Sequence, residues 1–92
     1  MEKEEFIIID EFCKYYSVEV SFIKELNSNG IVELTVQNEE FYINHEQIPA
    51  LEKYINLYYN MDINMEGVEA IHHLLGRIEQ LQREVRQLRN SI

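Results

Sequence analysis

The chain has 92 residues, of which 46% are hydrophobic and 27% charged, and its formal net charge at pH 7 is −9. These values are typical of one globular domain, residues 1–92, which buries only about two-thirds of its unfolded surface and would gain stability from an oligomeric partner. They disfavour a membrane protein, because no run approaches the roughly 20 apolar residues of a spanning helix.

The charge is unevenly distributed along the chain. Residues 1–75 carry four lysines and fifteen acids, a net charge of −11, whereas residues 76–92 carry four arginines and two acids, a net charge of +2. An acidic body repels phosphate backbones and attracts basic proteins. The acidic start, Glu2, Glu4 and Glu5, lacks the positive flank of a signal peptide, so we expect a cytoplasmic protein.

The first predicted elements are a short apolar run and two helices. Phe6–Ile9 is expected either to pair with a later strand or to pack on the core. Asp10 is the predicted N-cap of a first helix that reaches about Tyr16. A second helix ends at Asn27–Gly30, where Gly30 supplies the left-handed stop, so a helix-turn-helix is predicted. The predicted inner side of the first helix consists of Phe12, Tyr15 and Tyr16.

A β-hairpin is predicted directly after the second helix. Ile31–Val36 is rich in β-branched residues and alternates from Val32 onward, Gln37–Glu40 is the turn, and Phe41–Ile43 is the second strand. A helix-turn-helix followed by a two-stranded ribbon is a winged helix. The run Phe6–Ile9 is a candidate third strand.

A third helix should follow the hairpin. Asn44 is a candidate N-cap with Gln47 as its capping-box partner. Pro49 allows either one turn followed by a break or a main helix that begins at Pro49 itself. We expect this helix to reach about Asn60, and its predicted buried face consists of Leu51, Tyr54, Ile55 and Tyr58.

The last predicted helix runs from Met65 to about Asn90, with Asn64 as its N-cap. Its apolar residues recur at alternating three- and four-residue intervals, as in a coiled-coil seam. The seam consists of Ile71, Leu74, Ile78, Leu81, Val85, Leu88 and Ile92. We predict a homodimer through this seam, with its orientation open, and divide the chain into a body, residues 1–62, and a dimerisation helix, residues 63–92. The alternative is that the helix folds back on its own chain.

The order helix, turn, helix, wing, helix and long coiled helix resembles the MerR type of winged helix-turn-helix, a mainly α fold. Ile23–Val32 lies where that superfamily has Leu-Arg-Tyr-Tyr-Glu-Arg-Leu-Gly-Leu, and Met61–Val68 lies on its Leu-Gly-Phe-Ser-Leu-Glu-Glu-Ile motif. More closely, the chain resembles the CbpM family of chaperone modulators from about residue 6 to residue 90. That likeness rests on Phe6, Glu11–Cys13, Gly30–Glu33, Asp62–Asn64, Gly67–Val68, Leu81, Glu84 and Leu88.

The resemblance implies a small acidic protein that binds the J-domain of a DnaJ/CbpA-like co-chaperone and restrains it. J-domains present a basic helix to DnaK, so an acidic wing with an exposed aromatic would compete for that face. The predicted partner site consists of Glu33, Glu39, Glu40 and Phe41. The wing is about one residue shorter than the family pattern, and Phe41 stands where the family has tryptophan. Alternatively, Phe41 is a buried strand residue and the three acids are solvated.

The main alternative function is a MerR-type DNA-binding transcriptional regulator, and a dimeric scaffold for an unrelated partner is a third. A DNA-reading winged helix needs lysines and arginines on its recognition helix and wing. The candidate recognition helix, Glu19–Ser28, offers Lys24 against two acids, Glu19 and Glu25. The wing, Ile31–Ile43, has no basic residue, so we expect little or no DNA binding.

No catalytic, cofactor or metal site is predicted. Glu69 and His72 have the Glu-x-x-His spacing of di-iron bundles, but with Ile71 in the seam both point away from it. The single cysteine, Cys13, excludes an internal disulfide and is expected to be a buried, unreactive thiol. Three glycines form no phosphate loop. The tyrosines mostly have core spacing, which disfavours a small-molecule pocket.

Overall fold

The computed structural model describes residues 5–91, so Ile92 of the predicted seam and the acids Glu2 and Glu4 lie outside the described part. The chain is mainly helical with one small sheet and a long last helix, which confirms the predicted winged helix-turn-helix fold. The elements in order are β1 (Phe6–Ile8), α1 (Ile9–Tyr16), α2 (Val20–Ser28), β2 (Thr35–Gln37), β3 (Glu40–Asn44), a 3₁₀ turn (His45–Gln47), α3 (Ile48–Ile55), a π-helical turn (Asn56–Asn60) and α4 (Met65–Asn90).

The three strands form one antiparallel sheet in the order β1-β3-β2. In the β1–β3 pair, Ile7 lies opposite Ile43. In the β2–β3 pair, Val36 lies opposite Phe41. The apolar run at the start of the chain therefore pairs with a later strand, which was one of its two predicted alternatives.

The helix-turn-helix ends as the sequence predicts. Gly30 has a φ of +74°, in the left-handed region that favours glycine. The next residue, Ile31, donates its N–H to the carbonyl oxygen of Leu26 at 2.9 Å. This bond satisfies one of the free carbonyl groups at the end of α2 and fixes the path of the chain toward the wing.

Strand β2 is shorter than the predicted strand Ile31–Val36, because side chains take the place of a partner strand in its first half. The side-chain amide of Asn27 donates to the carbonyl oxygen of Val32 at 3.0 Å. The side chain of Gln47 bonds both backbone groups of Glu33. With these groups satisfied, the connection before β2 needs no neighbouring strand.

The predicted N-cap of α1 is wrong. Strand β1 leads directly into α1, which begins at Ile9, and Ile8 occupies the N-cap position without a side-chain hydrogen bond. Asp10 therefore lies in the first helical turn, where its carboxylate interacts favourably with the helix dipole.

The core lies between α1, α2, α3, the first turns of α4 and the central strand. Cys13 is buried in it. Tyr15, predicted to face inward, is 80% exposed, because the inner stripe of α1 runs through residues 9, 12, 13 and 16 and leaves Tyr15 outside it. The large side chains that are fully buried are Phe12, Ile23, Leu26, Ile43, Leu51 and Val68.

Helix α3 has an irregular turn at each end. Asn44 caps the preceding 3₁₀ turn by accepting the N–H of Glu46 at 2.8 Å. Gln47 is not the capping-box partner of Asn44, because its side chain is already bonded to Glu33. Pro49 lies in the first turn of α3, where its missing N–H has no cost, so one turn precedes the helix but no break separates them. The predicted extension to Asn60 is helical but takes the π form.

Helix α4 begins at the predicted cap. The side-chain oxygen of Asn64 accepts the N–H of Gly67 at 2.8 Å. Val68, one residue later, is fully buried against the body. No helix in the described part of the chain combines the length and the apolarity that crossing a membrane requires.

Candidate interaction surfaces

The first candidate surface, the α2–wing surface, consists of α2 and the hairpin formed by β2 and β3. The hairpin turns through Asn38 and Glu39, whose φ values of 52° and 65° suit a tight two-residue turn that follows the twist of the strands. Glu39 and Glu40 are exposed at the tip. The turn thus places two exposed acidic residues at the end of the wing.

Lys24 and Phe41 form a cation–π pair between α2 and the wing. The ammonium nitrogen of Lys24 lies 4.8 Å from the centroid of the Phe41 ring. Phe41 is half-buried and packs against the core, because alternation along β3 gives it the same face as the fully buried Ile43. The aromatic ring that was predicted as an exposed contact is therefore partly covered from both sides.

The structure brings three of the four predicted site residues together. Glu39, Glu40 and Phe41 line one hollow of about 240 Å³, together with Lys24 and Asp10. Glu33 is not among the residues that line it. Its carboxylate is exposed near the start of α3, where Gln47 holds its backbone.

The charge of the α2–wing surface is negative. Lys24 is the one basic residue in α2 and the hairpin, while Glu25 and the three predicted acids of the wing are all exposed. Glu19, just before α2, is held by a hydrogen bond from its N–H to the hydroxyl of Tyr59 at 3.1 Å. A surface with this balance repels a nucleic acid backbone and attracts a basic protein.

The second candidate surface is the predicted seam of α4. Ile71 is half-buried near the body, but the following seam side chains are 43% to 67% exposed. No other part of the described chain covers them. A hollow of about 570 Å³ runs along Ile78, Leu81 and Val85. The helix therefore does not fold back onto the described body. The exposed seam residues are Leu74, Ile78, Leu81, Val85 and Leu88.

A polar pair joins α3 to α4 beside the start of the seam. The hydroxyl of Tyr54 lies 2.8 Å from Nδ1 of His72. Burial, followed by the charge of Glu79, raises the pKa of Tyr54. Glu69 pairs with Nε2 of His73 at 3.7 Å and not with His72. Among residues 5–91, no group of three or more histidine, cysteine, aspartate or glutamate side chains is arranged to hold a metal ion.

Sequence reasoning missed a third surface, the outer sheet face, which we define by Phe6, Ile8 and Tyr42. In the register of the sheet, Ile8 lies opposite Tyr42, and Phe6 is two residues before Ile8 on the same face. All three are half-buried, but none of them packs against the core of the described chain. The sequence does contain a signal for this surface. Side chains alternate along a strand, so Tyr42 and Phe41 point to opposite faces of the sheet.

Comparison with known proteins gives one match. A family model described as MerR HTH family regulatory protein matches residues 7–90, from β1 to the end of α4. No curated protein and no solved structure matches the chain.

Proposed function

We propose that this chain, which belongs to the family of MerR HTH regulatory proteins, is a non-enzymatic modulator of a DnaJ/CbpA-like co-chaperone. It binds the basic J-domain of that co-chaperone in the cytoplasm and inhibits it. The partner meets the acidic α2–wing surface, and Glu39 and Glu40 contribute to the contact, with Glu33 and Phe41 at its margins.

The observation that carries this proposal is the excess of acidic over basic residues on the α2–wing surface, where Lys24 stands against Glu25 and three acids of the wing. Phosphate contacts by lysine and arginine supply most of the affinity of DNA-binding proteins. Here the single lysine of that surface, Lys24, lies over the ring of Phe41 at 4.8 Å, with the carboxylates of Glu39 and Glu40 lining the same hollow. The geometry that would present a recognition helix to DNA thus presents negative charge.

The same negative charge that repels DNA would attract a basic J-domain. A J-domain presents a basic helix to DnaK, and complementary charge increases the association rate and selects against acidic partners. A protein that covers the basic helix would prevent its contact with DnaK. Inhibition therefore follows from occupancy and needs no chemistry.

We also propose that the protein acts as a homodimer through the exposed seam of α4. The seam side chains from Leu74 to Leu88 are exposed in the single chain, and the same stripe of a second copy would cover them. The orientation of the two helices stays open.

The direct test is calorimetric titration of the protein with a purified J-domain at low salt. We expect saturable binding that weakens as salt is raised, and a loss of about tenfold or more when both Glu39 and Glu40 are changed to Lys. The matched control is E79K/E84K, which makes the same change in net charge on α4. Equal affinity of the wild type and the E39K/E40K variant would remove the wing acids from the site, and no binding by the wild type would contradict the proposed function.

A second candidate, a DNA-binding transcriptional regulator, is favoured by the family match and by the intact order of α1, α2 and wing. An electrophoretic mobility shift assay with genomic fragments at low salt separates the two. We expect no saturable shift. Saturable, salt-sensitive DNA binding would favour this candidate over the J-domain modulator.

A further inference from the structure

The outer sheet face is a hollow with an apolar floor. Its volume is about 670 Å³. Ile8 and Tyr42 are directly opposite each other on β1 and β3, close enough for their side chains to form a continuous apolar strip with Phe6. The wall residues are Glu11, Gln37, Asn38 and His45, with Ile7 at the edge of the floor.

Carboxylates surround this apolar strip. Glu11 lines the hollow, and Glu40 accepts a hydrogen bond from the hydroxyl of Tyr42 at 3.4 Å. A smaller adjoining hollow, which shares His45, includes Glu5 and Glu46. In the described part of the chain, neither hollow is lined by lysine or arginine. The side chains that would complement such a face combine an apolar stripe with flanking positive charges.

From this arrangement we propose that the outer sheet face is a docking surface for a basic amphipathic α-helix of the partner protein. The proposal rests on the proposed function and deepens it, because it places the apolar part of the contact at Tyr42, Ile8 and Phe6. The ring of Phe41 points to the other side of the sheet and is covered by Lys24 and the core. Glu40, at the tip of the wing, lies beside both surfaces.

A helix fits the dimensions of this face. One face of an antiparallel sheet is commonly covered by helices in folded domains. Phe6 and Ile8 are two residues apart on one strand, which corresponds to about 7 Å. Side chains one turn apart on a helix are separated by about 5–6 Å, so two successive apolar residues of the partner can contact the strip while its lysines or arginines reach Glu11 and Glu40.

The proposal can be tested with two probes, a purified J-domain and a synthetic amphipathic helical peptide of leucine and lysine, about four turns long. Tyr42→Thr removes the ring and keeps a residue that suits a strand. Its control is Met61→Thr, which changes an exposed apolar residue just before α4, outside both the outer sheet face and the α2–wing surface. Glu11→Lys has Glu79→Lys as its control, which changes an exposed acid of α4 outside both the outer sheet face and the α2–wing surface.

We expect Tyr42→Thr to weaken the binding of both probes about tenfold and Glu11→Lys to weaken it severalfold, with both controls close to wild type. A peptide of the same composition with scrambled order should bind much more weakly than the amphipathic one. As a measurement on the unmutated protein, nuclear magnetic resonance titration should shift the amide signals of Phe6–Ile8 and Tyr42 most strongly. This readout keeps the test valid if a variant fails to fold.

The outcomes separate the two proposals. If the J-domain binds but Tyr42→Thr and Glu11→Lys leave its affinity unchanged, the docking surface is wrong and the proposed function stands. If the peptide binds at the outer sheet face and the J-domain does not bind, the docking surface stands and the proposed function is wrong. Equal binding of the amphipathic and the scrambled peptide would overturn the docking surface. A change in the oligomeric mass of Tyr42→Thr would also overturn it, because it would identify a second copy of this chain as the occupant.

Discussion

The side chain of Gln47 holds the backbone of Glu33 as a neighbouring strand would. Its amide group donates to the carbonyl oxygen of Glu33 at 2.6 Å, and its amide oxygen accepts the N–H of Glu33 at 2.7 Å. The two residues are 14 positions apart in the chain. This double hydrogen bond fixes the loop that enters the wing against the turn that enters α3.

Gln47→Glu tests this double bond with a side chain of the same shape. The carboxylate keeps the acceptor for the N–H of Glu33 but places an oxygen against its carbonyl oxygen. We expect the free energy of unfolding to fall by about 1 kcal/mol, the net contribution of one hydrogen bond, because water can reach the exposed carbonyl group of Glu33. Urea denaturation followed by circular dichroism measures this loss. Glu46→Gln, at the neighbouring exposed position, is the control and should change stability little.

Replacement of two glycines of α4 by alanine is predicted to change the free energy of unfolding in opposite directions. A Cβ at Gly67 would lie 2.6 Å from Cγ2 of Ile63 and 3.3 Å from the capping oxygen of Asn64, whereas a Cβ at Gly76 would meet nothing within 4 Å. Gly76→Ala should raise the free energy of unfolding by about 0.5–1 kcal/mol, because alanine favours the helix interior. Gly67→Ala should lower it by about 1–3 kcal/mol, because the contact must be relieved by displacing packed groups.

Thermal denaturation of the two alanine variants measures the difference directly. An increase in Tm for both would mean that Ile63 moves aside without cost. A decrease for both would mean that Gly76 contacts another chain.

Leu81→Asp tests the proposed dimer. Leu81 is 43% exposed in the single chain, and in a dimer it would lie at the centre of the seam. A buried, unpaired carboxylate is strongly destabilising, so the variant should be a monomer with the mass of one 11.1 kDa chain. Light scattering coupled to size-exclusion chromatography gives the mass. Gln87→Asp adds the same charge away from the seam and should leave the dimer intact.

Tyr16→Phe should reduce stability at neutral pH and change its dependence on alkaline pH. The hydroxyl of Tyr16 donates to Oε2 of Glu52 at 2.7 Å and so joins α1 to α3. This hydrogen bond, followed by burial, raises the pKa of Tyr16 from 10.0 to about 12. Loss of the bond should lower the free energy of unfolding by about 1 kcal/mol at pH 7. Tyr15→Phe, at an 80% exposed position, is the control.

The sign of the pH effect follows from the raised pKa. Folding favours the neutral phenol of Tyr16, so its contribution is fully present below pH 10 and is lost as the pH rises through about 12. The stability difference between wild type and Tyr16→Phe should therefore shrink over that interval. Burial and then the charge of Asp10 raise the pKa of Cys13 from 9.0 to about 11, so wild type and variant share a further loss of stability between those values. A stability difference that stays constant up to pH 12 would contradict the role of the Tyr16 hydroxyl.

Local sequence determined much of the fold. The cap at Asn64, the left-handed stop at Gly30 and the tight turn of the wing each depend on residues within four positions of one another. The periodicity of α4 likewise follows from helix geometry, and it placed the side chains from Leu74 to Leu88 on one exposed stripe. The seam dimer and the J-domain partner stay predictions, which the binding and mass measurements test.

Contacts between distant residues were decided by the tertiary structure alone. Nothing near Gln47 in the sequence indicates that it bonds Glu33, and the pair formed by Tyr54 and His72 joins residues 18 positions apart. The order of residues along a strand determines which side chains share a face. Which of the two faces is buried depends on the elements that pack against the sheet. The packing of α2 against the wing turned Phe41 toward the core and Lys24, and the same register turned Tyr42 outward. Sequence therefore determined the elements and the negative charge, whereas tertiary packing decided that Phe41 packs against the core and Tyr42 faces outward.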